Sequence, residues 1–441
     1  MSEPFDLVVG GVRAVLPTGL SDVHVACRDG KVAEICSSDA PLPAASRTVD
    51  GRGHWLLPGI IDTQVHFREP GTPHKEDLES GTAAAILGGV TCIFDMPNTQ
   101  PPIVSREALQ AKLAAAVGRC SCDYAFFVGA TGDNLGELAQ LEQLPGCAGV
   151  KVFMGSSTGS LLVADDRVLE QVLRAGERRV AIHAEDDARL QERKPLAVQG
   201  NPATHPVWRD AETALRATQR IVALAEATGR PIHVLHVTTA EELAFLGEHK
   251  QFATVEVTPQ HLTLAAPDCY QRLGTRAQMN PPIRGDEHRR ALWQAVASGV
   301  VDVVGSDHAP HTLAEKALPY PQSPSGMPGV QTLLPLLLEH VHQGRLSLPR
   351  LVELCCSGPA RVYGIAGKGQ IAVGFDADFC LVDPAQTWTI RDADQATRCG
   401  WTPFDGQTIH GRPVATLLRG NVIMWDGQLQ QTGLGQPVRR G

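Results

Sequence analysis

Long apolar runs, basic blocks and closely spaced cysteine pairs are largely missing from this 441-residue chain. No apolar stretch reaches the roughly 18 residues that a bilayer crossing needs, so no membrane span is expected. Met1-Ser2-Glu3-Pro4 does not lead from a basic segment into an apolar one, so no secretory signal is expected. Lysine and arginine form no block, and the net charge of -9 is spread along the chain. That composition favours a small-molecule ligand over nucleic acid or a membrane surface. Among eleven cysteines there is no Cys-x-x-Cys pair, and only Cys355-Cys356 and Cys120/Cys122 lie close. Reduced, buried thiols in a cytoplasmic protein are the expectation. Internal repeats and low-complexity tracts are also missing.

What is present is an alternation of strand-like and helix-like segments. Apolar, β-branched runs fall at Leu56–Val65, Val90–Asp95, Asp123–Ala130, Gly149–Met154, Arg179–Ala184, Pro231–Val237, Ala253–Thr258 and Val301–Gly305. They are apolar on both faces, as parallel strands covered on both sides are. Between them lie helix-forming segments such as Leu78–Leu87, Arg106–Val117, Trp208–Thr228 and His288–Ala297. Eight such units predict a (β/α)8 TIM-like barrel over residues 54–365. The flanks, 1–53 and 366–441, carry short strand runs and are each too small for a comfortable core. Together they are expected to form one small composite β-sandwich. Leu318–Gly329 and Arg398–Gly411 read as surface loops, the first over the active-site face.

In such barrels the functional side chains come from the C-terminal strand ends and the loops after them. Those positions hold Gln64 and His66 on the first strand, Asn98 after the second, Lys151 on the fourth and His183 on the fifth. His236 lies on the sixth, Asn280 after the seventh and Asp307 after the eighth. A lone histidine there is ordinarily a hydrogen-bonded core residue. Lys151 is less ordinary, because an unpaired ammonium inside Gly149-Val150-Lys151-Val152-Phe153-Met154 is costly to bury. It is either a snorkelling or salt-bridged lysine, or one that loses its charge and takes up carbon dioxide as a carbamate. The imidazoles and carboxylate together form a donor set suited to zinc or a similar divalent ion.

Several segments carry a resemblance. Asp62-x-Gln64-x-His66-Phe67-Arg68-Glu69-Pro70-Gly71, Met96-Pro97-Asn98-Thr99, Glu256-Val257-Thr258-Pro259-Gln260-His261-Leu262, Met279-Asn280-Pro281-Pro282 and Ser306-Asp307-His308-Ala309-Pro310-His311 resemble motifs of the dihydroorotases, within the amidohydrolase superfamily. Gly369–Asp378 resembles the superfamily's return into its β-domain. The resemblance implies a zinc-dependent cyclic amide hydrolase that interconverts dihydroorotate and carbamoyl-aspartate in pyrimidine biosynthesis by a zinc-bound hydroxide. It implies one metal held by His66, carbamylated Lys151 and Asp307, and a second held by Lys151, His183 and His236. Gly155-Ser156-Ser157-Thr158-Gly159 offers no bridging aspartate in the lysine's place. Asp307 would also move the proton, Arg68, Asn98 and His311 would grip the substrate's α-carboxylate, and Asn280 would contact the ring amide. Arg68 is the discriminating residue, since hydantoinase-like and allantoinase-like rings lack that carboxylate; the alternative for it is an ion pair with Glu69 or Glu76. The resemblance also admits a homodimer and association with aspartate transcarbamoylase.

One position departs from the family pattern. Gln64 stands where the first histidine of a His-x-His pair is expected, and an amide oxygen is a weaker zinc ligand than imidazole. Either Gln64 ligates weakly, or one metal suffices, or the chain is an impaired homologue that scaffolds aspartate transcarbamoylase. Another cyclic amidohydrolase is the remaining alternative.

Overall fold

The computed structural model describes residues 3–156 and 161–441, so the end of the Gly155–Gly159 segment lies outside the described residues. Eight parallel strands run in sequence order: Ile60–Val65, Val90–Asp95, Asp123–Gly129, Cys147–Phe153, Val180–His183, Ile232–Val234, Ala253–Val257 and Val303–Val304. Each pairs with the next, and the ring nearly closes where the His66 amide donates to the His308 carbonyl at 2.7 Å. Strands buried on both faces explain the unbroken apolar runs. One face packs against the surrounding helices. The other fills the barrel with Ile61, Phe94, Phe127, Ala181, Leu235 and Val303, capped by Tyr363.

The run Leu56–Val65, predicted as one strand, is two. Trp55–Pro58 belongs to the sheet built from the chain ends, and only Ile60–Val65 enters the barrel. The break falls at Gly59, where an added Cβ would lie 2.1 Å from Thr91 Oγ1. Apolarity alone cannot reveal this break, because both halves are buried.

The ends of the chain form a mixed nine-stranded sheet. Phe5–Leu16 pairs with Gly19–Arg28, Ala45–Asp50 and Trp55–Pro58. Phe379–Thr389 then joins Trp55–Pro58 to Thr408–Leu418, so residues from both termini alternate into one core around Val9, Val25, Leu56, Phe379 and Leu417. The two segments predicted as surface loops are only partly that. Trp401 and Phe404 of Arg398–Gly411 are buried against Met279 and Met327. In Leu318–Gly329 the inner end, from Gly326 onward, is buried beside the strand ends. All eleven cysteines are free, and no helix among the described residues is long and apolar enough to cross a membrane.

Candidate metal centre

At the C-terminal strand ends, Gln64, His66, Lys151, His183, His236 and Asp307 line one narrow space of about 20 Å3, closed at its sides by Asn280 and the Ser325-Gly326 backbone. Strand register places them. Lys151 is level with Ala181, and His183 with Phe153, so neighbouring strands deliver their side chains to the same mouth. His236 and Asp307 follow their strands in left-handed backbone, with φ of 39° and 45°. Such conformations cost non-glycine residues about 1–3 kcal/mol and persist where the surroundings enforce them.

The donors come as two pairs. His183 Nδ1 lies 3.0 Å from His236 Nε2, and His183 Nε2 donates to Glu185 Oε2 at 2.8 Å. Glu185 is in turn paired with Arg209, and both are buried. The Arg209 guanidinium and the His183 ring overcome burial and hold the Glu185 carboxyl far below the usual carboxylate range. Across the space, Gln64 Nε2 donates to Asp307 Oδ1 at 3.1 Å, and His66 Nε2 lies 3.1 Å from the same oxygen. His66 Nδ1 is 2.7 Å from Asn98 Oδ1. Both ring nitrogens of His66 therefore face oxygen atoms, one of Asn98 and one of Asp307.

Three buried polar atoms bordering this space have no hydrogen-bond partner among the described residues: Lys151 Nζ, Gln64 Oε1 and His236 Nδ1. Buried orphans are uncommon enough that three together indicate a missing ligand. Burial pushes Lys151 down to about 7, against the opposing pull of Asp307 and Glu256. The amine lies 4.4 Å over the Phe153 ring. Among the described residues no three His, Cys, Asp or Glu side chains gather into a ready cage. Each pair needs another donor, and Lys151 faces both.

The family comparison agrees with this geometry. A model described as the amidohydrolase family matches residues 55–423. This chain belongs to the amidohydrolase family. It is 38% identical to a dihydroorotase of Halobacterium salinarum, over 93% of this chain and 98% of that one. It is 32% identical to an L-hydantoinase of Paenarthrobacter aurescens, over 99% and 98%. A solved L-hydantoinase (dihydropyrimidinase) from Arthrobacter aurescens superposes with a TM-score of 0.93 at 29% identity, over 99% of this chain and all of that one.

Beside the two donor pairs, this amidohydrolase holds a buried cation. Arg68 Nε donates to the Pro310 carbonyl at 3.2 Å, and its terminal nitrogen lies 3.4 Å from His311 Nε2. The ion-pair alternatives are absent. Glu69 pairs with Arg119 at 2.7 Å, and the Glu76 carboxylate is taken by Ser80, His308 and Thr397. Burial pulls Arg68 down to about 10, still charged at neutral pH. His311 is held far below its ordinary value by burial and then by Arg68 and Lys75, and so is neutral. Asn280 Oδ1 lies 3.0 Å from His205 Nε2.

Several supporting residues of the amidohydrolase escape sequence reasoning. Glu185 had a signal, an acid two residues beyond a candidate ligand; its partner Arg209 had none. Asp62 accepts the amides of Gln64 and Ser306 at 3.2 and 3.0 Å, tying the first strand to the eighth. Burial raises Asp62 to about 7 and Glu256, beneath the site, to about 8. Lys316 donates to the carbonyls of Gln278, Pro324 and Gly326 and so fastens the segment that closes the site.

Proposed function

We propose that this amidohydrolase is a dihydroorotase, interconverting dihydroorotate and carbamoyl-aspartate at a zinc centre held by His66, Lys151, His183, His236 and Asp307. The observation that carries the reading is Arg68, a buried guanidinium beside the two donor pairs that has no carboxylate partner among the described residues. A carboxylate-bearing ring completes it, whereas a neutral ring leaves its charge unpaired in a dry site.

The residues divide the work as follows. Lys151, with an amine neutral above about pH 7, takes up carbon dioxide and releases a proton. In that form Lys151 would hold the zinc together with His66, Asp307, His183 and His236. When bound there, zinc would supply the chemistry of lowering the pKa of a water and polarising a carbonyl. Asp307 Oδ1 is engaged by Gln64 and His66, so the proton from the attacking water goes to Oδ2 and returns to the departing ring nitrogen. Arg68, His311 and Asn98 orient the ring through its carboxylate, and Asn280 reaches the ring amide.

Purified protein should contain between one and two zinc per chain and cyclise carbamoyl-aspartate. If it contains none, and zinc with bicarbonate restores no turnover, the scaffold reading replaces this one. The L-hydantoinase likeness supports a second reading, and turnover of hydantoin or allantoin but not dihydroorotate would establish it.

A further inference from the structure

The opposite mouth of the barrel carries a second concentration of charge. Just before the fifth and sixth strands, and at the start of the fourth, the chain borders a cavity of about 420 Å3 lined by Arg178, Arg179, Arg361 and Arg440, with Tyr363 among its lining residues. The chain as a whole is acidic, with a net charge of -9, yet none of these four guanidiniums pairs with a carboxylate among the described residues. The acid nearest to hand is occupied. Glu142 pairs with Arg230 at 2.5 Å and accepts the amides of Glu177 and Arg178. Gly441 also borders the cavity, without an ion pair to any of the four.

Three of the arginines are held in place by neutral oxygens instead. Arg178 donates to the Glu142 carbonyl and, at 2.9 Å, to Gln143 Oε1. Arg179 donates to the Ile232 carbonyl at 2.7 Å, and Arg440 to that of Ala148. Arg361 stands exposed on the rim and makes no hydrogen bond among the described residues. These bonds fix the forks without neutralising them. Burial, and then the neighbouring charge of Arg178, pull Arg440 down to about 10. Four like charges collected on one cavity repel each other, and the arrangement is costly until an anion enters it.

We propose that this cavity is an anion-binding site for a ligand carrying a pyrophosphate group, either the free anion or the phosphate chain of a nucleotide. Guanidinium forks match phosphate oxygens in pairs, and four of them call for an anion of several charges rather than a single carboxylate. The cavity has room for more than one phosphate. The site lies at the strand starts, whereas the metal residues lie at the strand ends, so it does not depend on the reading of the catalytic centre.

Calorimetric titration of the whole protein with inorganic pyrophosphate tests the proposal, with a nucleoside triphosphate and sodium sulfate at matched ionic strength run alongside. An Arg68→Gln background removes the unpaired arginine beside the two donor pairs as a source of anion binding. The expected result is saturable binding in that background, weakened about tenfold by adding Arg361→Gln and further by adding Arg440→Gln, since tenfold corresponds to about 1.4 kcal/mol for one charge-assisted contact. Arg361 makes no internal hydrogen bond, so its replacement leaves the fold intact. Tighter binding of the triphosphate identifies a nucleotide, and equal binding identifies the pyrophosphate group itself. No saturable binding, or affinity unchanged by Arg361→Gln and by the Arg361→Gln/Arg440→Gln pair, overturns the proposal. Equal binding of sulfate does the same, because it reduces the cavity to a non-selective patch of charge.

Discussion

On one side of Lys151, His183 and His236 meet through ring nitrogens 3.0 Å apart, with the buried Glu185–Arg209 ion pair behind them. On the other side, His66 and Gln64 both lean on one oxygen of Asp307, and behind His66 stands the neutral amide of Asn98. An anion behind a ligating imidazole fixes its tautomer and raises its basicity more than an amide does. In the zinc centre we propose, the first half would therefore hold an ion firmly and the second would hold one loosely. Gln64 is the chief cause. It spends its amide N–H on Asp307 and leaves a neutral oxygen where an imidazole nitrogen is expected.

That comparison can be tested from its centre outward. Lys151→Met removes the donor shared by both halves and should lower turnover by at least about a thousandfold, with zinc lost from both positions. The same substitution replaces an unpartnered buried amine with an apolar chain, so the metal-free protein should melt higher. Metal analysis and calorimetry check the two parts separately, and a Lys151→Met protein that keeps its zinc would remove the lysine from the centre. Arg68→Gln should cost about a hundredfold in kcat/KM for dihydroorotate while leaving zinc content unchanged, which separates substrate binding from the metal halves.

Glu185→Gln attacks the firm half alone. It should weaken metal affinity about 10- to 100-fold and also destabilise the fold, because Arg209 is left as a buried unpaired charge. Competition with a chelator measures the first effect, and denaturant unfolding the second. Reloading metal-free protein with zinc and bicarbonate should depend on pH. The uncharged amine of Lys151 is half populated near pH 7 and falls about tenfold for each unit below, so reloading should be complete above 7 and fail near 5. Gln64→His should have the smallest effect, raising zinc occupancy of the loose half by a few tenths of an ion per chain. Unchanged occupancy would mean that the two halves do not differ through this residue.

The gathering of these side chains at one mouth was legible in the sequence, for a physical reason. Parallel barrel strands put chemistry at one end, and each of His66, Lys151, His236 and Asp307 falls near or just after the end of its strand, which preserves that register even when strand limits shift. The observed strands are shorter than predicted in the second half, ending at Val234 and Val304, yet His236 and Asp307 still reach the mouth through left-handed turns. What escaped was anything set by contacts distant in sequence. Nothing near Arg209 announces that it neutralises Glu185. Trp401 looked like part of a surface loop, because only the fold brings its indole to the His311 carbonyl, 2.7 Å away. The break at Gly59 was hidden because both sides of it are apolar.

The shared sheet has a consequence for how the molecule is made. Trp55–Pro58 lies between Phe5–Leu16 and Phe379–Thr389, and about 320 residues separate Pro58 from Phe379. At a translation rate of 5–20 residues per second, the second strand leaves the ribosome roughly 16 to 64 s after the first. Throughout that interval the nascent chain carries an unpaired strand edge, the kind of surface that recruits other chains. The first barrel strand, which bears Gln64 and His66, follows directly from that waiting edge.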